Sequence, residues 1–183
     1  MQPILVLMAP GFEEIELIAP IDILRRLGIG VVTAGLEGRS VKGAHGITIQ
    51  ADTLMVDADA EKFDGIILPG GGASWTLRDN PRVKKLVRDF MASGKLVSAI
   101  CAAPIALEAA GVLTGRRVTC YPDVKGELVS AVEVTDHPTE IDGNLVTGRG
   151  PGAALEFGFA LGAYFVGEKE IAALRTGMCA ETP

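Results

Sequence analysis

The sequence has few cysteines, and their number and spacing exclude two classes of protein. Its 183 residues include three, Cys101, Cys120 and Cys179. An odd, widely spaced set cannot form the paired framework of a small disulfide-rich domain, and it lacks the close spacing of a structural zinc site. We therefore expect no metal, at least one free thiol and a reducing compartment.

An excess of positive charge is also absent. The chain has 17 Lys and Arg against 23 Asp and Glu, a formal charge of -6, and its pI is near 5.0. Nucleic acid and acidic membrane surfaces are therefore unfavourable partners. Apolar runs are short and interrupted, and Met1 to Pro3 lead into the run 4–8 without the basic region of a signal peptide. These absences predict a soluble, cytoplasmic protein.

What is present is the composition of a folded chain. Apolar residues make up 48% and charged residues 22%, with a mean hydropathy of +0.33, which excludes disorder as the main state. We expect one domain over residues 1–183. Short apolar runs bounded by glycine and proline alternate with stretches of helical period, which predicts an α/β fold with a mainly parallel sheet.

The predicted elements follow from that alternation. Strands are expected at residues 4–8, 30–34, 65–68, 96–100, 117–120 and 145–147. Helices are expected at residues 14–27, 81–92, 103–110 and 151–166. Residues 40–51 predict a hairpin added to the sheet, and residues 129–134 predict a further antiparallel piece.

Cys101 is the most informative residue, because ligands of open α/β sheets bind at the carboxyl ends of the strands. It lies between a predicted buried strand and a predicted helix, which is the position of a nucleophile on a sharp turn. The start of a helix also favours the thiolate. The alternative interpretation is a buried structural cysteine.

Two other strand ends carry candidate groups. Gly70, Gly71 and Gly72 follow the strand at 65–68, where their N–H groups would bind an oxyanion or a phosphate, or simply form a turn. Glu16 follows the first strand. It either serves the start of its helix or points into the crevice, where burial would raise its pKa and allow a hydrogen bond to sulfur.

The remaining candidates are interpreted mainly as structural or solvent-exposed residues. His45 and His137 have no obvious partner and are interpreted as solvated or structural. Cys120 is interpreted as a strand residue, and Cys179 belongs to a tail that is expected to fray. Trp75, next to the triple glycine, either lines a pocket or packs internally.

Four motifs in this order resemble the DJ-1/ThiJ/PfpI superfamily. They are Gly11-Phe12-Glu13-Glu14-Ile15-Glu16, Leu68-Pro69-Gly70-Gly71, Ala99-Ile100-Cys101-Ala102-Ala103-Pro104 and Arg149-Gly150-Pro151-Gly152. The resemblance extends from about residue 3 to 170. It implies a flavodoxin-like three-layer sandwich with a cysteine nucleophile elbow, which usually forms a homodimer.

The resemblance also implies roles for individual residues. Cys101 is the nucleophile, and Glu16 is a protonated acid hydrogen-bonded to its sulfur. The backbone N–H groups of Gly70, Gly71 and Ala102 resemble the oxyanion site. The residues that correspond to segments near the dimer interface of relatives are Arg25, Arg26, His45 and Arg149.

The chain departs from this pattern at Tyr121, where several members of the superfamily have a histidine before the proline. A tyrosine is a poor base at neutral pH, because its ordinary pKa is near 10. A PfpI-like hydrolase with a Cys–His pair is therefore disfavoured. The short chain without insertions resembles the DJ-1/ThiJ branch, and Tyr121 and Trp75 are candidate pocket residues.

Two functions remain open at this point. The first is an enzyme that resembles glutathione-independent glyoxalases and deglycases, in which Cys101 attacks a small dicarbonyl substrate and Glu16 moves protons without a cofactor. The second is a redox sensor in which Cys101 is oxidised to a sulfinate with little turnover. A thiamine-related role is suggested only by the ThiJ name, and no residue supports it.

Overall fold

Residues 1–180, the part of the chain that the computed structural model describes, contain eleven strands, six α-helices and four short 3-10 helices. The strands are Ile4–Met8 (β1), Val31–Gly35 (β2), Ser40–Lys42 (β3), Thr48–Gln50 (β4), Thr53–Leu54 (β5), Gly65–Leu68 (β6), Leu96–Ile100 (β7), Arg117–Thr119 (β8), Glu133–Thr135 (β9), Thr139–Asp142 (β10) and Leu145–Gly148 (β11). The helices are Glu14–Arg26 (α1), Ala73–Asp79 (α2), Pro81–Ala92 (α3), Pro104–Ala110 (α4), Ala154–Val166 (α5) and Glu168–Gly177 (α6).

Seven strands form the central sheet in the order β10-β11-β7-β6-β1-β2-β5. All neighbours run parallel except β10, which pairs antiparallel with β11. Every residue of β1, β6, β7 and β11 is buried, as expected for strands that are covered on both faces. The predicted α/β architecture with a mainly parallel sheet is confirmed.

The helices form two layers. α1, α5 and α6 pack together, and so do α2, α3 and α4. The chain steps from β1 to β2 in one direction and from β6 to β7 in the other, so right-handed crossovers place α1 and α3 on opposite faces. The direction reverses between β1 and β6, and ligands of such sheets bind there, at the carboxyl ends of the strands. The loops after β1 and β6 therefore meet where a ligand is expected.

The most regular elements have the bounds that the sequence predicts. β1, β6, β7 and α3 match, and β2 and β11 differ by one residue. The predicted helix over 151–166 begins with a tight 3-10 turn, Pro151–Ala153, before α5. A Cβ at Gly158 would lie 3.1 Å from the Cα of Pro20 in α1. The small residues of α5 therefore let these two helices pack closely.

Two predicted strand pairings are wrong. β3 and β4 form the expected hairpin, but they pair only with each other in a separate small sheet. β8 ends at Thr119, so Cys120 lies just beyond it, and β8 pairs parallel with β9 in a second small sheet. These segments therefore form two separate two-stranded sheets rather than extending the central one.

Two helices have no counterpart among the predicted elements. α2 has seven residues and α6 has ten, and helices this short depend on tertiary packing for their stability. Within residues 1–180, none of the helices combines the length and apolar character needed to cross a bilayer.

Candidate active site

Cys101 lies on a strained turn between β7 and α4. Its φ is +64°, a left-handed conformation that costs a residue with a side chain about 1–2 kcal/mol. Its N–H donates to the carbonyl of Gly148 at 2.9 Å, and its carbonyl accepts the N–H of Tyr121 at 2.8 Å. The turn is therefore held on both sides, and the side chain, 7% exposed, lies at the carboxyl edge of the sheet.

Glu16 reaches the same point from the first turns of α1. The residue is fully buried, and its Oε2 accepts the N–H of Gly70 at 3.0 Å. Its Oε1 has no hydrogen-bond partner within residues 1–180, and the carboxyl is close enough to the Cys101 thiol for each group to shift the pKa of the other. A Cβ at Gly70 would collide with both Glu16 Oε2 and Cys101 Cβ. The three residues therefore surround one small space.

Burial dominates the proton affinity of Glu16. It raises the pKa of the carboxyl from 4.5 to about 7, against the lowering effect of hydrogen bonds from Cys101 and Gly70. Since the described chain places no cation beside this carboxyl, the neutral form is favoured. Both protonation states of Glu16 are therefore accessible near neutral pH.

The pKa of the Cys101 thiol is raised, whereas the position at the start of a helix predicted that the thiolate would be favoured. Burial and the charge of Glu16 raise its pKa to about 12, although the N–H groups of Gly71 and Ala102 act in the opposite direction. The repulsion from Glu16 exists only while that carboxyl is ionised. Once Glu16 is protonated, its O–H can donate to sulfur, so the two groups titrate as a pair.

The glycine loop after β6 brings backbone donors to the sulfur. Gly71 has a φ of +75° and forms an isolated bridge with Phe12 in the loop after β1. A Cβ at Gly71 would lie 2.5 Å from the carbonyl oxygen of Gly11, so a side chain there would separate the two loops. The N–H of Gly70 is occupied by Glu16, which leaves those of Gly71 and Ala102 next to the thiol.

A profile of the DJ-1/PfpI family matches residues 2–163. The chain belongs to the DJ-1/PfpI family. It is 40% identical to Protein dj-1beta of Drosophila melanogaster over 177 residues, 95% of each chain. It is 37% identical to Deglycase PfpI of Pyrococcus furiosus over 150 residues, 81% of this chain and 90% of that one.

Solved structures of DJ-1 proteins have the same fold. The crystal structure of Drosophila melanogaster DJ-1beta superposes with a TM-score of 0.94 at 39% identity and covers 100% of both chains. Schizosaccharomyces pombe DJ-1 superposes with a TM-score of 0.89 at 27% identity, over 99% of this chain and 100% of that one. The predicted DJ-1/PfpI membership and flavodoxin-like sandwich are confirmed.

Tyr121 lines a cavity of about 400 Å³ together with Arg149 and residues 150–153. Trp75 is 41% exposed on α2 and does not line this cavity. The structure thus brings together Tyr121 and Arg149, 28 positions apart in the chain, which no spacing pattern indicated.

The two histidines of this DJ-1/PfpI chain have carboxylate partners that sequence reasoning missed. His45 Nδ1 lies 3.0 Å from Glu14 Oε2 and 3.4 Å from Glu13 Oε1. His137 Nδ1 lies 3.1 Å from Glu140 Oε2. Glu14 lies 31 residues from His45, so no local signal reveals that pair, whereas Glu140 lies only three residues from His137.

The cluster of Glu13, Glu14 and His45 is the one group in residues 1–180 whose donor atoms are spaced for a cation, within 4.8 Å of one another. Glu14 Oε1 already accepts the N–H groups of His45 at 2.8 Å and Ile47 at 3.3 Å. These hydrogen bonds hold the β3–β4 hairpin against the start of α1, so we interpret the cluster as a structural contact.

Two of the predicted interface residues, Arg25 and Arg26, lie on α1. Arg25 donates to the carbonyl of Val31 at 3.2 Å, and Arg26 pairs with Asp22 at 2.7 Å within α1. Both side chains are about half exposed, 54% and 50%. Their interface role stays a prediction.

Proposed function

We propose that this protein is a cysteine-dependent enzyme that converts reactive dicarbonyls such as methylglyoxal, or the adducts they form, without glutathione, metal or cofactor. The observation that carries the proposal is the fully buried Glu16, with a pKa of about 7, beside Cys101. A group with that pKa can both give and take a proton at neutral pH. The name of the Pyrococcus furiosus relative, a deglycase, supports the same reaction class.

The reaction begins when the Cys101 thiolate attacks the aldehyde carbon of methylglyoxal. A C–S bond forms, the carbonyl electron pair moves to oxygen, and the N–H groups of Gly71 and Ala102 stabilise that oxyanion. Protonated Glu16 donates its proton to the oxygen, which gives a neutral hemithioacetal and a carboxylate. The nucleophile, the acid and the donors needed for this step therefore all surround the same space.

The same carboxylate completes the conversion. Glu16 removes the proton from the former aldehyde carbon, which gives an enediolate, and returns it to the neighbouring ketone carbon. The hydroxyl proton of the hemithioacetal passes to the former ketone oxygen, so the first carbon is oxidised to a thioester and the second is reduced to an alcohol. Water then cleaves the resulting thioester, which releases lactate and restores the thiol. No external oxidant or reductant is needed.

Lactate formation from methylglyoxal in the absence of glutathione tests this proposal. We expect lactate well above the uncatalysed background from wild type and background levels from Cys101→Ser at equal folded concentration. Circular dichroism of the two proteins controls for folding. An equal rate from both proteins, or no rate from wild type, contradicts the enzyme assignment.

A second candidate function is a redox sensor with little turnover, because the Cys101 thiol lies next to the N–H groups of Gly71 and Ala102 and to Glu16, which can hydrogen-bond an oxidised sulfur. Peroxide would transfer oxygen atoms stepwise to sulfur, leaving as water, and give a sulfinate that Gly71, Ala102 and protonated Glu16 would hydrogen-bond. No lactate, together with a sulfinate at Cys101 by mass spectrometry after mild peroxide, would support this candidate.

The other two candidates have less support. A PfpI-like hydrolase needs a histidine beside the nucleophile, but Tyr121 takes that position, and His45 and His137 pair with Glu14 and Glu140. Nothing in residues 1–180 points to thiamine chemistry. Three free cysteines fit the proposed cytoplasmic location.

The proposal includes a homodimer. Ile15 and Ile18 are 51% and 46% exposed on one face of α1, and adjacent exposed apolar side chains are typical of an interaction site. Arg25 and Arg26 lie on the same helix. Sedimentation velocity should give a dimer for wild type and a monomer for Ile18→Glu, whereas a monomeric wild type would contradict this part.

A further inference from the structure

The left-handed turn at Cys101 is held by two backbone hydrogen bonds that come from separate segments of the chain. Its N–H donates to the carbonyl of Gly148, the last residue of β11, and its carbonyl accepts the N–H of Tyr121, two residues beyond β8. A residue with a side chain keeps a φ of +64° only where the surrounding structure fixes it. The contact between these two segments therefore also fixes the turn that carries the thiol.

Two buried threonines join the segments directly. Thr147, which precedes Gly148, accepts the N–H of Thr119 on its Oγ1 at 2.9 Å. Both threonines are 0% exposed, so this N–H would be left without a partner if the hydroxyl were removed. Together with the two hydrogen bonds of the turn, this bond closes a ring that runs through Cys101, Gly148, Thr147, Thr119 and Tyr121 and returns to Cys101.

A second ring shares the hydrogen bond between Thr147 and Thr119. The hydroxyl of Thr119 donates to the carbonyl of His137 at 2.9 Å. The next carbonyl, that of Pro138, accepts the N–H of Arg149 at 2.9 Å, and Arg149 lies two positions after Thr147. The loop between β9 and β10 therefore braces the same pair of threonines a second time.

The ring decides where the sulfur lies relative to groups outside it. The thiol of Cys101 is next to the N–H of Gly71, in the loop after β6, and to the carboxyl of Glu16, on α1. Neither of these residues belongs to the ring, so a shift of the turn would change both distances. Misplacement of a reacting group by about 1 Å costs about 100-fold in rate.

We propose that Thr147 is a positioning residue. By accepting the N–H of Thr119, its hydroxyl closes the ring that keeps the Cys101 turn left-handed and its sulfur beside Gly71 and Glu16. Its role is indirect, because the hydroxyl bonds to the backbone of β8. The inference rests on the proposed function, since the position of the sulfur matters only if Cys101 reacts, either with a carbonyl or with peroxide.

Two substitutions of Thr147 separate positioning from packing. Thr147→Val keeps the shape and removes the acceptor, whereas Thr147→Ser keeps the hydroxyl and removes a methyl group. We expect Thr147→Val to lower kcat for lactate formation about 10–100-fold with KM little changed. Thr147→Ser should keep kcat although the lost methyl group lowers Tm.

Thr33→Val is the matched control. The Thr33 hydroxyl is also buried and accepts a backbone N–H, that of Asp52 at 3.0 Å, but it lies on β2. This variant should lose stability and keep kcat. A kcat that follows Tm across the three variants, rather than the presence of the Thr147 hydroxyl, would overturn the inference.

Amide hydrogen exchange measured by NMR tests the ring without turnover. In Thr147→Val we expect the amides of Cys101 and Tyr121 to exchange about tenfold faster than the uniform change seen in the other core amides. Thr147→Ser and Thr33→Val should keep the protection of these two amides. Unchanged protection in Thr147→Val would overturn the inference.

Failure of the proposed enzyme can be distinguished from failure of this inference. If wild type forms no lactate, the enzyme assignment fails, and sulfinate formation at Cys101 under mild peroxide replaces lactate as the measured reaction. Thr147→Val should then form the sulfinate about tenfold more slowly than wild type, and Thr147→Ser at the wild-type rate. Equal rates for Thr147→Val and wild type would overturn the positioning role.

Discussion

Glu14 and Glu16 lie two residues apart at the start of α1, yet their carboxyl groups have opposite proton affinities. Both residues are buried, 8% and 0% exposed. Burial favours the neutral form of each, but hydrogen bonds from the His45 imidazole and from amides in the β3–β4 hairpin outweigh it and lower the pKa of Glu14. Glu16 has one amide and a thiol, and its pKa rises to about 7. The hydrogen-bond partners of each carboxyl therefore distinguish a structural carboxylate from a candidate proton donor, and burial alone does not.

The largest expected effect on activity comes from adding a side chain at Gly70, whose N–H binds Glu16. In Gly70→Ala the new Cβ would collide with Glu16 Oε2 and Cys101 Cβ, so both groups must move. We expect at least about a 100-fold loss of lactate formation, since misplacement by about 1 Å has that cost. Gly72→Ala is the matched control, because its Cβ would meet nothing closer than 3.7 Å.

The control decides how the Gly70 result is interpreted. Equal losses in both variants would mean that the loop tolerates no side chain anywhere. Full activity in Gly70→Ala would contradict the crowded geometry around the thiol.

Replacing Glu16 and Glu14 by glutamine, one at a time, tests whether the first acts in catalysis and the second in stability. Glu16→Gln should lower kcat about 100-fold without unfolding the protein, because general acid–base catalysis contributes about 10²–10⁴. Glu14→Gln should keep kcat and lower Tm, because it loses its charge-assisted bonds to the hairpin. Steady-state lactate assays and thermal melts measure both variants, and a reversed pattern would exchange the assigned roles.

The pH dependence of stability should differ in sign between the two carboxyls. The folded pKa of Glu16 is raised to about 7 from an ordinary 4.5. Its contribution is therefore full below pH 4.5 and is lost as pH rises to about 7, a change of about 3 kcal/mol. The folded pKa of Glu14 is lowered, so its contribution is present at neutral pH and lost as pH falls.

Urea denaturation at several pH values measures this difference. The stability of wild type minus that of Glu16→Gln should fall between pH 4.5 and 7, whereas the difference for Glu14→Gln should rise from acid to neutral pH. A flat difference for Glu16→Gln would show that its carboxyl is not neutral in the folded state.

The smallest effect concerns His45. Its side chain is 68% exposed, so the ion pair with Glu14 is screened and worth little. We expect His45→Ala to lower Tm by at most about 3 °C and to leave lactate formation unchanged. A large loss of activity would show that the contact between His45 and Glu14 also positions Glu16, two residues further along α1.

The elements that the sequence predicted best are those with purely local causes. β1, β6 and β7 are apolar runs ended by glycine, proline or the cysteine turn, and α3 begins at Asn80, whose side chain accepts the N–H groups of Arg82 and Val83. The pairing of the β3–β4 hairpin and of β8 was mispredicted, since the choice of partner strand depends on how segments far apart in the chain pack together.

Some features of the candidate site were likewise predicted from the sequence, and others were missed. Cys101, Glu16 and the glycine loop were found from strand ends and family motifs, because ligands of a parallel sheet bind at one edge. Their catalytic roles stay predictions. The raised pKa of the thiol was missed, because the dipole argument considers the start of α4 but not the depth of burial or the charge of Glu16.

The order of residues alone determined the α/β fold class, the family and the strand ends at which chemistry was expected, because periodicity and short motifs are local properties. Only the tertiary structure decided that no cation of the described chain lies beside Glu16, that His45 meets Glu14, and that Tyr121 and Arg149 line one cavity. These outcomes depend on distances between segments far apart in the chain, and burial and electrostatic interaction follow those distances rather than sequence spacing.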